Sequence, residues 1–175
     1  MPVAHTIWTG LAITMAVGPS SAMTLSSPDI APESAIAAAH IYPRCGGANI
    51  SPALVWSGVP TGARSLVLTM IDQSVEPALW SHWIVVDLPP TASGLARGVS
   101  TLPAKAHAVA GNFGDAAYDG PCPPKGSGTH RYAFTLWAMP TPTTAIAPNA
   151  DAREVQAGLA RQAVARASFT GLARR

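Results

Sequence analysis

Short apolar runs set off by proline and glycine dominate the middle of the chain. From Arg131 to Met139 the residues alternate, with Tyr132, Phe134 and Leu136 on one face and Arg131, Ala133, Thr135 and Trp137 on the other. A period of two predicts a β-strand. Ser65 to Ile71 is a leucine-rich and β-branched run that ends at Asp72, and Trp83 to Leu88 is another, closed by Pro89 and Pro90. Ala53 to Trp56 precedes a turn at Ser57–Pro60. His107 to Ala110, a weaker strand, leads into the loop Gly111–Asp115. Runs of this length bounded by turn residues predict a mainly β fold, an antiparallel β-sandwich. No helical segment separates the strands, which argues against a parallel sheet of βαβ units.

The pattern changes after Pro148. Asn149 or Asp151 can cap a helix, and Val155, Leu159, Ala163 and Arg166 recur at helical spacing up to Phe169. Gly171 is read as the stop. The expectation is a C-terminal α-helix packed on the sandwich.

Composition narrows the class. A chain of 175 residues with 48% hydrophobic and 11% charged side chains has the makings of one cored domain, not of a disordered segment. A net charge of +2 without a Lys/Arg cluster before Arg174-Arg175 excludes a nucleic-acid-binding face. Residues 1–22 stand apart. Ile7 to Val17 is mostly apolar, and Gly18-Pro19-Ser20-Ser21-Ala22 suits cleavage after Ala22, the pattern of a signal peptide. The competing reading is a start at Met23, since no Lys or Arg precedes the apolar stretch. The folded domain is expected over 23–175, periplasmic or secreted if the signal is cleaved and cytoplasmic otherwise. A transmembrane anchor would need about 18 consecutive apolar residues, and no such run is present. Cys45 and Cys122 both lie in Gly/Pro-rich loops, so one disulfide or two free thiols are open, with the compartment deciding.

Candidate chemistry gathers at two places. Gly120-Pro121-Cys122-Pro123-Pro124 and Gly126-Ser127-Gly128 form a rigid loop running into His130, Arg131 and Tyr132. Asp72 ends one strand, and His82 is expected just before another. Imidazoles suit an anion site because protonation adds charge where a ligand demands it. Asp72 is expected to orient an imidazole through its second nitrogen, and Tyr132, on the face of His130, to add a phenolic donor. Arg131 points the other way and is read as a structural ion-pair partner of an acidic group such as Asp87. Asp72, His82 and His130 are plausible zinc ligand types without a spacing signature, so no metal is expected. Ser81 and Ser74 neighbour these groups, but there is no Gly-x-Ser-x-Gly elbow, and no catalytic residue is assigned.

The combination resembles the phosphatidylethanolamine-binding protein family, in its bacterial Raf-kinase-inhibitor-like branch. Asn49-Ile50-Ser51-Pro52-Ala53-Leu54-Val55-Trp56, the Asp72–Pro77 segment, Trp80-Ser81-His82-Trp83, Gly120–Pro124 and Gly128-Thr129-His130-Arg131-Tyr132 carry the likeness, which spans nearly all of residues 24–175. It implies an antiparallel sandwich with a C-terminal helix and a small pocket for phosphate, phosphoryl headgroups or carboxylates. By motif the pocket uses Asp72, His82 and His130, with Trp80, Cys122, Pro123 and Tyr132 near its rim. One departure is that the family's Asp-Pro-Asp reads Asp72-Gln73-Ser74 here, so a carboxylate is lost. The expected function is non-enzymatic binding of a small anion, without a cofactor, with a kinase or protease as the implied protein partner. The alternatives are a partner inhibitor with a vestigial pocket, or a hydrolase.

Overall fold

The apolar runs become strands of two packed sheets. A computed structural model of the protein describes Met1 and residues 22–175. The signal-peptide reading of residues 1–22 therefore lies almost wholly outside the described residues. In chain order the elements are β1 (Thr24–Ser26), β2 (Ser34–Ala35), 3-10 turns at Ala38–His40 and Pro43–Cys45, β3 (Leu54–Ser57), β4 (Ser65–Asp72) and β5 (Trp80–Leu88). β6 (Gly94–Leu95), β7 (His107–Ala108), β8 (Thr129–Met139), α1 (Ala152–Gln162) and β9 (Ala165–Arg174) complete the domain. The larger sheet runs β2-β9-β8-β4-β5-β7 and the smaller β1-β3-β6. All pairings are antiparallel except β2 with β9.

The main core lies between the sheets. Leu25, Leu54, Trp56 and Leu95 of the small sheet meet Leu66, Leu68, Met70, Val85, Phe134 and Leu136 of the large one. The opposite face of the large sheet is also covered. There Val67, Ile84, Val86, Trp137 and Met139 pack against Val155 and Leu159 of α1. Burial on both faces explains why β4 reads as a continuous apolar run, with every residue buried. Helix α1 starts where Asp151 accepts the amides of Arg153 and Glu154 at 2.9 and 3.0 Å, the capping expected of its carboxylate. Among the described residues no helix is long and apolar enough to cross a membrane.

The tail corrects the sequence reading. The helix ends at Gln162, and Ala165–Arg174 forms β9, paired residue by residue with Thr129–Ala138 of β8. Alanine supplies helix propensity, but a full ladder of sheet hydrogen bonds outweighs it. Arg166 and Phe169 thus belong to a strand: Arg166 lies 5.6 Å over the Trp137 ring, and Phe169 stacks on Phe134 at 4.9 Å. Gly171 stops nothing. It pairs with Ser34, and a Cβ there would come within 2.8 Å of the Ile36 side chain, so glycine admits β2 against β9. A second correction concerns His82, which lies inside β5 because the strand begins at Trp80.

Candidate functional site

Strand register builds one wall of a cavity. Asp72 is opposite Tyr132 in the β4–β8 pairing, and His130 lies two residues before Tyr132 on the same face. His82 reaches that face by a different route. Met70 pairs with Trp83 and Ile71 with Ser81, which leaves His82 as the extra residue of a β-bulge. A bulge re-aims a side chain that strict alternation would send elsewhere. The His82 ring accordingly meets the Tyr132 ring edge to face at 5.1 Å.

Loops supply the remaining walls. Asp72, His82, His130, Tyr132, Trp80 and Cys122 all line a cavity of about 430 Å³, within the usual size of ligand sites. Tyr42, Arg44, Val75, Phe113 and Pro124 line it too. Phe113 packs 5.1 Å from both Tyr42 and His82 and 6.0 Å from Trp80, making an aromatic rim. Pro123 is a correction. It is buried on the far side of its loop, in a separate depression with Arg174 and Arg175, while Pro124 faces the cavity.

Arg44 and Phe113 escaped the sequence reading. Arg44 sits in a single 3-10 turn and Phe113 in an irregular loop, and neither has a periodicity that marks a face. A signal was available for Arg44, because it immediately precedes Cys45. The structure joins Cys45 to Cys122 with Cα atoms 5.5 Å apart, which fastens the Arg44 turn to the loop of Cys122. Tyr42 N–H donates to Pro121 O at 3.1 Å and Gly120 N–H to Asn49 Oδ1 at 2.7 Å, holding the same junction.

The polar groups have defined roles. Nδ1 of His130 donates to Asp72 Oδ2 at 2.6 Å, and both side chains are buried. Asp72 Oδ1 accepts the Ser74 amide at 2.9 Å, and Ser74 Oγ accepts the Arg131 amide at 2.9 Å. Ser74 therefore closes the loop by hydrogen bonding. His82 Nδ1 donates to the Asp119 carbonyl at 2.8 Å, so its Nε2 carries the lone pair. Burial pushes the His82 imidazole down to about 4, despite hydrogen bonding that favours its charged form. The Tyr132 hydroxyl is buried and makes no hydrogen bond of good geometry, with the Asp72 carboxylate and the Cys122 backbone close enough to influence it. Burial, and next the Asp72 carboxylate, push its phenol upward, so it remains a protonated donor.

Other assignments resolve differently. Arg131 pairs with Glu33 at 2.8 Å, not with Asp87, whose carboxylate accepts the Thr144 amide at 2.8 Å. Glu33 is brought there because β2 runs beside β9, an adjacency set by topology. Ser81 donates from both its amide and its Oγ to Asn112 Oδ1 at 2.7 Å, which ties it to a loop and away from any imidazole. Among the described residues no cluster of three His, Cys, Asp or Glu could hold a metal ion.

Asp119 gives the site a pH signature. Burial, and next a hydrogen bond with Asp115, raise its carboxyl to about 7. A raised carboxyl stabilises the fold fully below its unfolded value of 3.8, and that contribution is lost as pH rises through 7. The depressed His82 works oppositely, its contribution full above 6.5 and lost as pH falls through about 4. Asp119→Asn should remove only the first term. The melting temperature of the variant relative to wild type should therefore climb from pH 4 to pH 7; a constant difference would contradict the assignment.

A two-sheet β protein with a polar-floored, aromatic-rimmed cavity at its strand ends is the class that this geometry defines. The chain belongs to the phosphatidylethanolamine-binding protein family, whose model matches residues 26–174. The Escherichia coli protein YbcL is 33% identical over 159 residues, covering 86% of this chain and 87% of YbcL. The YbcL crystal structure, described as a new member of the mammalian family, superposes with a TM-score of 0.81 at 31% identity, covering 89% of this chain and 99% of that one. LppC of Mycobacterium tuberculosis, named as a lipoprotein, is 38% identical over 127 residues, 73% of this chain and 61% of LppC.

Proposed function

We propose that the protein binds a small anionic ligand, such as phosphate, a phosphoethanolamine-like headgroup or a carboxylate, in the cavity between Tyr132 and Arg44. One observation carries this reading: Tyr132, whose buried hydroxyl makes no hydrogen bond of good geometry, lines a cavity together with Arg44, His82 and His130. An unmade buried hydrogen bond costs roughly 1–3 kcal/mol, and an anion oxygen would supply it. Arg44 adds a charge-assisted donor with forked geometry suited to phosphate or carboxylate. With its imidazole held down to about 4, His82 is neutral at pH 6–8, so an anion at its Nε2 must draw a proton onto the ring. Export to an oxidising compartment belongs to the same proposal, supported by the Cys45–Cys122 pairing and by the lipoprotein name of one relative. A kinase or protease partner rests on the family resemblance alone, and no residue of the cavity selects one.

Calorimetric titration with inorganic phosphate and with phosphoethanolamine tests the reading. Both should bind with proton uptake and more tightly at pH 6 than at pH 8. Arg44→Ala should weaken each by about tenfold or more, as expected for a hydrogen bond to a charged group. Absence of binding at both pH values would refute the proposal.

A further inference from the structure

The Ser127 hydroxyl takes no part in the binding reading, yet it touches the site's central histidine. Its Oγ lies 2.9 Å from His130 Nε2, while His130 Nδ1 lies 2.6 Å from Asp72 Oδ2. Hydroxyl, imidazole and carboxylate thus form one continuous chain from an exposed loop to a buried strand end. We propose that Ser127, His130 and Asp72 form a nucleophile relay, and that the protein hydrolyses small carboxylic esters bearing an anionic group. Such relays are recognised by geometry and roles, not by sequence order. Ser81 and Ser74 gave the hydrolytic alternative no support; Ser127 supplies the missing contact.

The proton inventory fits the roles. The Asp72 carboxylate accepts from Nδ1–H, which makes Nε2, facing Ser127, the proton-accepting position of the His130 ring. The single hydroxyl proton has two acceptors in reach, Nε2 and the Pro124 carbonyl at 2.7 Å. Turning it to Nε2 gives up only a turn hydrogen bond. Ser127 stands between Gly126 and Gly128, at φ 81° and 89°, and a Cβ at either glycine would meet nothing within 4 Å. An ester can therefore approach the hydroxyl from solvent. The Gly128 amide, next in the chain, makes no sheet or turn hydrogen bond among the described residues and can face a developing oxyanion. Arg44 lines the same cavity as His130 and suits the anionic group of the substrate.

The step balances without a cofactor. Ser127 Oγ adds to the ester carbonyl carbon as its proton passes to His130 Nε2, and Asp72 holds the imidazolium. The bond from carbon to the alcohol oxygen breaks, that oxygen takes the proton from Nε2, and the acyl group stays on Ser127. Water then adds to the acyl carbon, giving a proton to Nε2. That proton returns to Ser127 Oγ as the carboxylic acid departs, so one ester and one water yield one acid and one alcohol.

The test uses the full chain with mono-p-nitrophenyl succinate and p-nitrophenyl acetate, and a fluorophosphonate probe mapped by mass spectrometry. The account expects turnover of both esters, a lower KM for the succinate, and the probe on Ser127. Ser127→Ala should lower kcat by about 100-fold or more and leave the melting curve in place, because the side chain is exposed. Wild type no faster than Ser127→Ala, or a probe on another residue, overturns the relay. Phosphate titration of the wild type separates the two proposals: binding without hydrolysis refutes the relay alone, and hydrolysis without phosphate binding refutes the anion site alone.

Discussion

Asp72→Ala is expected to lower the unfolding free energy by about 2–3 kcal/mol, because two donors of the site lose their acceptor. The carboxylate and the His130 ring are both buried, with side chains 4% and 7% exposed, and their hydrogen bond is 2.6 Å long. Removing the acceptor leaves the His130 Nδ1–H buried without a partner. The Ser74 amide loses its acceptor in the same change, and with it the turn that follows β4. Asp72→Asn keeps Oδ1 for the Ser74 amide and sets an NH2 against His130 Nδ1, which can accept once the ring proton moves to Nε2, so it should cost less than alanine. Urea unfolding of the two variants reads the difference. Equal losses would mean that the carboxylate fills space and does not organise the loop.

Replacing Cys45 and Cys122 together by alanine should cost about 2–4 kcal/mol. The bond closes a loop with a sequence separation of 77, and releasing so long a loop returns a large conformational entropy to the unfolded chain. The native junction should persist, because the Tyr42–Pro121 and Asn49–Gly120 hydrogen bonds span it independently. Unfolding should therefore remain cooperative at the lower stability. Dithiothreitol should shift wild type by the same amount and leave the double variant unmoved. Two titratable thiols in protein isolated without reductant would contradict the pairing.

The sequence revealed the fold where local pattern and tertiary environment agree. β8 shows its alternation openly, and β4 shows a continuous run because α1 covers its second face. Ala165–Arg174 misleads for the opposite reason: its alanines favour a helix locally, and what decides its state is pairing with positions 27 to 45 residues earlier. His82 is similar. Its composition marks it as a candidate, but only the bulge in the β4–β5 register turns it toward Tyr132. The motif residues Asp72, Trp80, His82, Cys122, His130 and Tyr132 surround one cavity, whereas Pro123 turns away because neighbouring residues of an extended loop face opposite sides. Arg44 and Phe113 come from loops whose approach to the cavity is fixed by cross-links and aromatic contacts, neither of which has a period. Glu33 reaches Arg131 only because a short parallel pairing places β2 beside β9, which no local signal announces.

The buried Tyr132 hydroxyl is the donor that an anion in the cavity would engage. Titrating inorganic phosphate into wild type and Tyr132→Phe by calorimetry tests it most directly. Phenylalanine keeps the ring contact with His82 and removes only the unpartnered oxygen, so the fold should be as stable as wild type or slightly more so. Phosphate affinity should nevertheless fall by about tenfold. Phosphate binding to Tyr132→Phe with wild-type affinity would contradict it.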